Sequence, residues 1–135
     1  MMGEDNMSRK VDNEQLKNHL LSDLKLTGMP TDFELVLKDY SSTCYGKYLK
    51  SRKLIIIYIY EDKACTTLFP YSCLLDTLVH EAVHHYQHHY EEDFVRYKGV
   101  MHNPNFYKYY NKYVDKLKQY GIEVGNNEEV FSQSS

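Results

Sequence analysis

His80-Glu81-Ala82-Val83-His84 sets two imidazoles four residues apart, with a carboxylate beside the first. On a helix, positions i and i+4 differ by about 40° around the axis and about 6 Å along it. Both rings therefore leave the same face and can take two corners of a tetrahedral zinc site with bonds of about 2.0–2.1 Å. Glu81, about 100° round from His80, does not ligate but can face a water on the metal. Zinc lowers the pKa of such a water to roughly 7, and the carboxylate can take its proton as the water attacks a polarised carbonyl. Seven His and ten Glu among 135 residues produce this pattern by chance about 0.03 times. The bland alternative is a surface helix that is merely rich in histidine, since five of the seven histidines lie between His80 and His89.

The third ligand decides the class. A metzincin needs Gly at position 87 and His at 90, where this chain has Gln87 and Tyr90. His88 continues the i, i+4 row but lies about 12 Å along the helix from His80, too far to share one ion. Glu91, Glu92 and Asp93 meet the same difficulty if the helix continues, and Cys44 and Asp115 remain open with no pattern behind them. His102 is better placed: seventeen residues separate it from His84, it precedes a helix start, and a returning segment can carry it over the first helix. His85, His88 and His89 read as solvated or as groups behind the ligands. Asp76, one turn before His80, reads as a helix-end charge or as a carboxylate that orients an imidazole. Tyr97, Tyr107 and Tyr109 are candidate donors to an oxyanion.

These residues need elements to position them. Leu16, Leu20 and Leu24 recur every four residues and predict a helix that Gly28 and Pro30 end. Phe33 to Lys38, Cys44 to Leu49 and Lys53 to Tyr60 read as three strands. Their short separations predict an antiparallel sheet, because each parallel crossover needs a dozen or more residues. From about Ser72 to Tyr90 a broad apolar stripe (Leu74, Leu75, Leu78, Val79, Ala82, Val83, Tyr86) predicts a central helix carrying the histidines. Asn103-Pro104 reads as a helix start, with Phe106, Tyr110, Tyr113, Leu117 and Tyr120 on one face and Gly121 at its end. The expectation is an α+β fold: a small zincin-like domain over residues 11–121 with an N-terminal helix, three-stranded antiparallel sheet, zinc-binding helix and C-terminal helix, between a flexible start (1–10) and tail (122–135).

At 135 residues the chain holds about one domain, and 42% hydrophobic with 26% charged residues is a globular composition. No apolar run reaches the about 18–20 residues that cross a bilayer, and no signal-peptide core precedes the domain, so the expected setting is cytoplasmic, with no membrane partner. Three cysteines without a Cys-x-x-Cys fit reduced thiols. The net charge of −3 argues against bulk binding to nucleic acid, but it is unevenly spread. Residues 96–120 hold six basic residues against Asp115, while residues 1–95 hold 10 basic against 15 acidic. Lys108, Lys112 and Lys116 repeat every four residues among tyrosines, a candidate contact face for single-stranded DNA, weighed against an ordinary solvated helix face. Lys47, Lys50, Arg52 and Lys53 read as a charged turn.

Thr77-Leu-Val-His-Glu-Ala-Val-His84, followed by His102-Asn-Pro-Asn-Phe106, resembles the SprT-like zinc metallopeptidases, and Tyr45-Gly46-Lys47-Tyr48 before the Ile-rich strand looks like that family's Gly-containing strand pair. The resemblance covers roughly residues 44–115. Asn103 departs from the family's usual Gly, although Asn also tolerates the left-handed backbone region. No Cys pairs follow to form the zinc ribbon that some members carry. The resemblance implies one zinc per chain held by His80, His84 and His102, with Glu81 as general base and later proton donor in hydrolysis of a protein or peptide substrate. Some members degrade DNA-crosslinked proteins, which makes DNA-associated substrates an expectation here. Two alternatives stand beside it: a catalytically inactive zinc-binding module acting through the basic C-terminal helix, and a His-rich protein holding transition metals loosely.

Overall fold

Leu54–Tyr58 (β3) carries the strongest strand signal in the chain, and in the computed structural model it becomes the centre of the sheet. The structure describes residues 2–91 and 104–125, with side chains from residue 13 onward. Along the chain, helix α1 (Met2–Lys25) is followed by β1 (Glu34–Lys38), β2 (Gly46–Leu49), a short 3-10 turn (Lys50–Arg52) and β3. Helix α2 (Tyr71–His89) and helix α3 (Pro104–Gln119) complete the fold, which is α+β.

The sheet order is β1-β3-β2, with β1 parallel to β3 and β2 antiparallel to it. The all-antiparallel expectation is corrected here. The short links join β1 to β2 and β2 to β3, but β1 and β2 are not neighbours. Residues 39–53 together form the crossover from β1 to β3, long enough for a parallel return, and β2 lies within it. The register runs from Glu34 opposite Leu54 to Lys38 opposite Tyr58 on one side, and from Gly46 opposite Ile57 to Leu49 opposite Leu54 on the other. Ile55, Ile57 and Ile59 join Leu35 in the main core, while Leu54 and Ile56, which alternation turns to the other face, are buried there.

Helix α1 contributes Leu20 and Leu24 to the core and ends at Gly28, whose φ of +81° closes the turn as expected. Its backbone is helical from Met2, over residues read as a loose end. That stretch lacks proline and includes good helix formers, so the helix extends without an apolar face to announce it. Helix α3 buries Phe106, Tyr110, Tyr113, Val114 and Leu117 and ends before Gly121, at φ +77°. Residues 122–125, read as the start of the tail, lie against the domain: Ile122 and Val124 pack on the core, and the Gly125 N–H donates to Ser72 O at 2.8 Å. Two apolar residues are too short a pattern to register as an element.

Helix α2 touches α1, β2, β3 and α3. It buries Leu74, Leu75, Leu78, Val79, Ala82 and Val83, leaves Tyr86 half-buried and, less usually, buries Asp76, Thr77, His80, Glu81, His84, His85 and Gln87. Burying a polar side chain costs free energy unless hydrogen bonds offset the lost water. Seven such residues on one enclosed helix need partners from the elements packed around it.

Candidate metal centre

The buried and half-buried polar residues of α2 form two stripes. Asp76, His80, His84 and Gln87 lie within about 80° of one another and face α3; Thr77, Glu81, His85 and His88 lie within a similar arc and face β2.

On the first stripe the His80 and His84 rings are 6% and 5% exposed as residues, and their centroids stand 5.1 Å apart at 74°. Two imidazoles on one tetrahedral zinc, with Zn–N of about 2.0–2.1 Å, place their centroids about 5 Å apart, so the pair fits that ion. Phe106 of α3 packs on both rings, at 4.9 Å from His80 and 4.8 Å from His84. Two ties hold α3 in that position. Tyr110 donates its hydroxyl to Asp76, which is fully buried. Glu91 accepts from Gln87 Nε2 at 2.8 Å and from Asn105 Nδ2 at 2.6 Å, joining the end of α2 to the start of α3.

His102, the expected third ligand, lies outside the described residues, as do Glu92, Asp93 and Tyr97. Among the described residues no three of His, Cys, Asp and Glu are grouped to hold a metal. Cys44, Glu91 and Asp115 therefore do not complete the pair.

Glu81, 7% exposed, sits at the boundary between the helix and β2. The space is so tight at Gly46 that a Cβ there would stand 2.7 Å from Thr77 Cγ2, 2.8 Å from Ile56 O and 3.7 Å from Glu81 Cγ. Glycine is thus required by close approach, and it brings the edge strand against Thr77 and the Glu81 side-chain stem.

His85 has a place that its sequence neighbours did not suggest. It is fully buried, with its Nε2 2.8 Å from Asp32 Oδ1 and its Nδ1 2.8 Å from Tyr48 Oη. The carboxylate can only accept, so Nε2 carries the proton and Nδ1 accepts from the Tyr48 hydroxyl. Asp32 also accepts from Tyr90 Oη at 2.7 Å and pairs with Lys53 at 3.5 Å. Hydrogen bonds from His85 and then Tyr90 hold the Asp32 carboxyl well below the usual carboxylate range. Burial lowers the His85 pKa despite the neighbouring carboxylate, and burial with Asp32's charge pushes Tyr48 up to about 12. The result is a neutral imidazole joining the segment before β1, strand β2 and helix α2. Asp32 precedes His85 by 53 residues and carried no pattern; only Tyr48, in the Tyr-Gly-Lys-Tyr run, had been singled out.

His88 is half-buried, its ring 6.1 Å from Tyr48 at 29°, and His89 is exposed. Tyr109 packs on Tyr86 at 4.8 Å, where burial pushes its hydroxyl up to about 12, while Tyr107 is exposed beside Phe106. Lys108, Lys112 and Lys116 are exposed on α3, and Lys112 Nζ lies 5.6 Å from the Tyr113 ring centroid. Among the described residues no helix is long and apolar enough to cross a membrane. No family model, curated protein or solved structure matches the chain.

Proposed function

We propose that this chain is a zinc-dependent metallopeptidase of SprT-like kind, with one zinc held by His80, His84 and His102. The supporting observation is the buried His80–His84 pair, spaced for one tetrahedral ion, with Glu81 one residue round the helix beside the edge strand β2. Bound zinc supplies Lewis acidity, polarising a peptide carbonyl and acidifying water. Glu81 takes a proton from the attacking water as its oxygen bonds to the carbonyl carbon. It returns a proton to the departing amine as the C–N bond breaks. Phe106 keeps both imidazoles in place and excludes water from their outer faces. Gly46 lets a substrate backbone on β2 come within reach of the carboxylate. Three free cysteines agree with an intracellular setting, and DNA-associated proteins are one substrate class that the resemblance brings forward.

Metal analysis of the purified full chain tests the reading. One zinc per chain is expected, retained in Glu81→Gln, which loses proteolysis, and lost in His102→Ala; zinc retained in His102→Ala removes the ligand assignment. A second reading, a zinc-bearing module without turnover, draws on the exposed Lys108, Lys112 and Lys116. Salt-dependent retention on single-stranded DNA that falls when these three are neutralised, with no cleavage of any unfolded protein, favours it.

A further inference from the structure

The stripe that carries Glu81 continues to His88, seven residues on and about 10 Å along the helix axis, which is the span of about three residues of extended chain. Strand β2 runs beside it in the same direction, Gly46 against Thr77 and Glu81, Tyr48 against His85 and His88. At the far end, Tyr48, Leu49, Lys50, Ser51 and His88 line a cleft of about 360 Å³.

Its walls are built rather than incidental. Tyr48 is held by its hydrogen bond to the buried His85, which Asp32 fixes from the other side. Leu49 and the Tyr48 ring supply an apolar lining for a side-chain stem, and Lys50 supplies charge at the mouth. The positive field reaches His88, whose pKa is lowered first by burial and then by Lys50. Lys50 and Arg52 are exposed on the turn that follows β2, and among the described residues the ion pair formed there is Lys53 with Asp32.

We propose that this cleft is a subsite for an acidic side chain, Glu or Asp, of an extended polypeptide lying along β2 and α2, about three residues from the bond that Glu81 serves. The proposal rests on the peptidase reading. A polypeptide is favoured over a nucleic acid because β2 is an edge strand, and backbone groups on an edge pair with an extended chain, which a sugar-phosphate backbone cannot do.

The experiment uses the zinc-loaded full chain and neutral unstructured peptides in which a single Glu is moved position by position around the cleaved bond. One position, about three residues away, is expected to raise kcat/KM by about three- to tenfold. Lys50→Gln should abolish that preference, and Lys50→Glu should reverse it in favour of Lys at the same position. The same peptides are titrated by fluorescence anisotropy into Glu81→Gln, alone and combined with Lys50→Glu, so that the subsite is read without turnover. An equal response at every position, or an acidic preference that survives Lys50→Glu, overturns the subsite and leaves the peptidase reading standing. If wild type cleaves nothing, the peptidase reading fails, and an acidic preference in anisotropy that depends on Lys50 still supports the cleft. Loss of salt-dependent oligothymidylate binding in Lys50→Glu, with peptide binding unchanged, reassigns the cleft to nucleic-acid phosphate.

Discussion

His84 and His85 are adjacent in the chain and almost equally buried, yet they belong to different structures. His84 faces α3, paired with His80 and pressed by the Phe106 ring. His85 faces β2 with both ring nitrogens committed to Asp32 and Tyr48, in an environment that suits nothing else. The difference teaches that one helix can hold two polar faces a hundred degrees apart, with Glu81 on the one that meets β2. A histidine's neighbours across the fold, rather than along the chain, decide which it serves.

Removing the Glu81 carboxylate should have the largest effect. Glu81→Gln is expected to lower kcat/KM on an unfolded protein substrate by about 10²–10⁴-fold while leaving zinc content unchanged, because general-base assistance contributes on that scale. Activity unchanged in that variant removes the role given to Glu81. The two adjacent histidines should then part company. His84→Ala is expected to lose zinc, measured by metal analysis, with the far-UV spectrum retained. His85→Ala should keep zinc but lose about 1–3 kcal/mol in urea unfolding, since it leaves the buried end of Tyr48 without its acceptor. The same loss of metal from both would erase the distinction. Gly46→Ala tests the close approach between the faces. Its methyl group meets the Ile56 carbonyl oxygen at 2.8 Å, so a cost of about 1–3 kcal/mol is expected, read as a lower urea midpoint.

The smallest expected effect is on pH dependence. Asp32 has a folded pKa below its unfolded value, so the stability it contributes is present above about pH 4 and is lost as pH falls through the folded pKa. Asp32→Asn should flatten the acid limb of the stability profile below about pH 4 and leave its neutral and alkaline shape intact. The carboxylate is 45% exposed, so solvent screening keeps the change small. An acid limb identical in both proteins would show that Asp32 does not brace this face.

Much of this arrangement was legible before any coordinates. Helices α2 and α3 announce themselves by apolar spacing, and Gly28 and Gly121 by following the last periodic residues; both adopt the left-handed backbone that the helix ends require. The His80–His84 pair and the intervening Glu81 follow from helical geometry alone. Strand pairing did not, because an apolar run such as Leu35–Leu37 looks the same beside a parallel or an antiparallel neighbour, and the short links pointed to the wrong partner. Asp76 read as a helix-end charge or an imidazole-orienting carboxylate, because nothing in its own segment shows that Tyr110 will arrive over it. His85 was opaque for the same reason, its partners being supplied by two other segments.

The parallel pairing of β1 with β3 sets an order of assembly. The β2–β3 hairpin closes through residues 50–53 and needs only local loop closure, whereas β1 must span residues 39–53 to reach its partner and gains that pairing later. The hairpin already carries Gly46, Tyr48 and Lys50. The wall against which α2 docks can therefore form early, and the helix bearing Glu81 meets a surface made before it arrives.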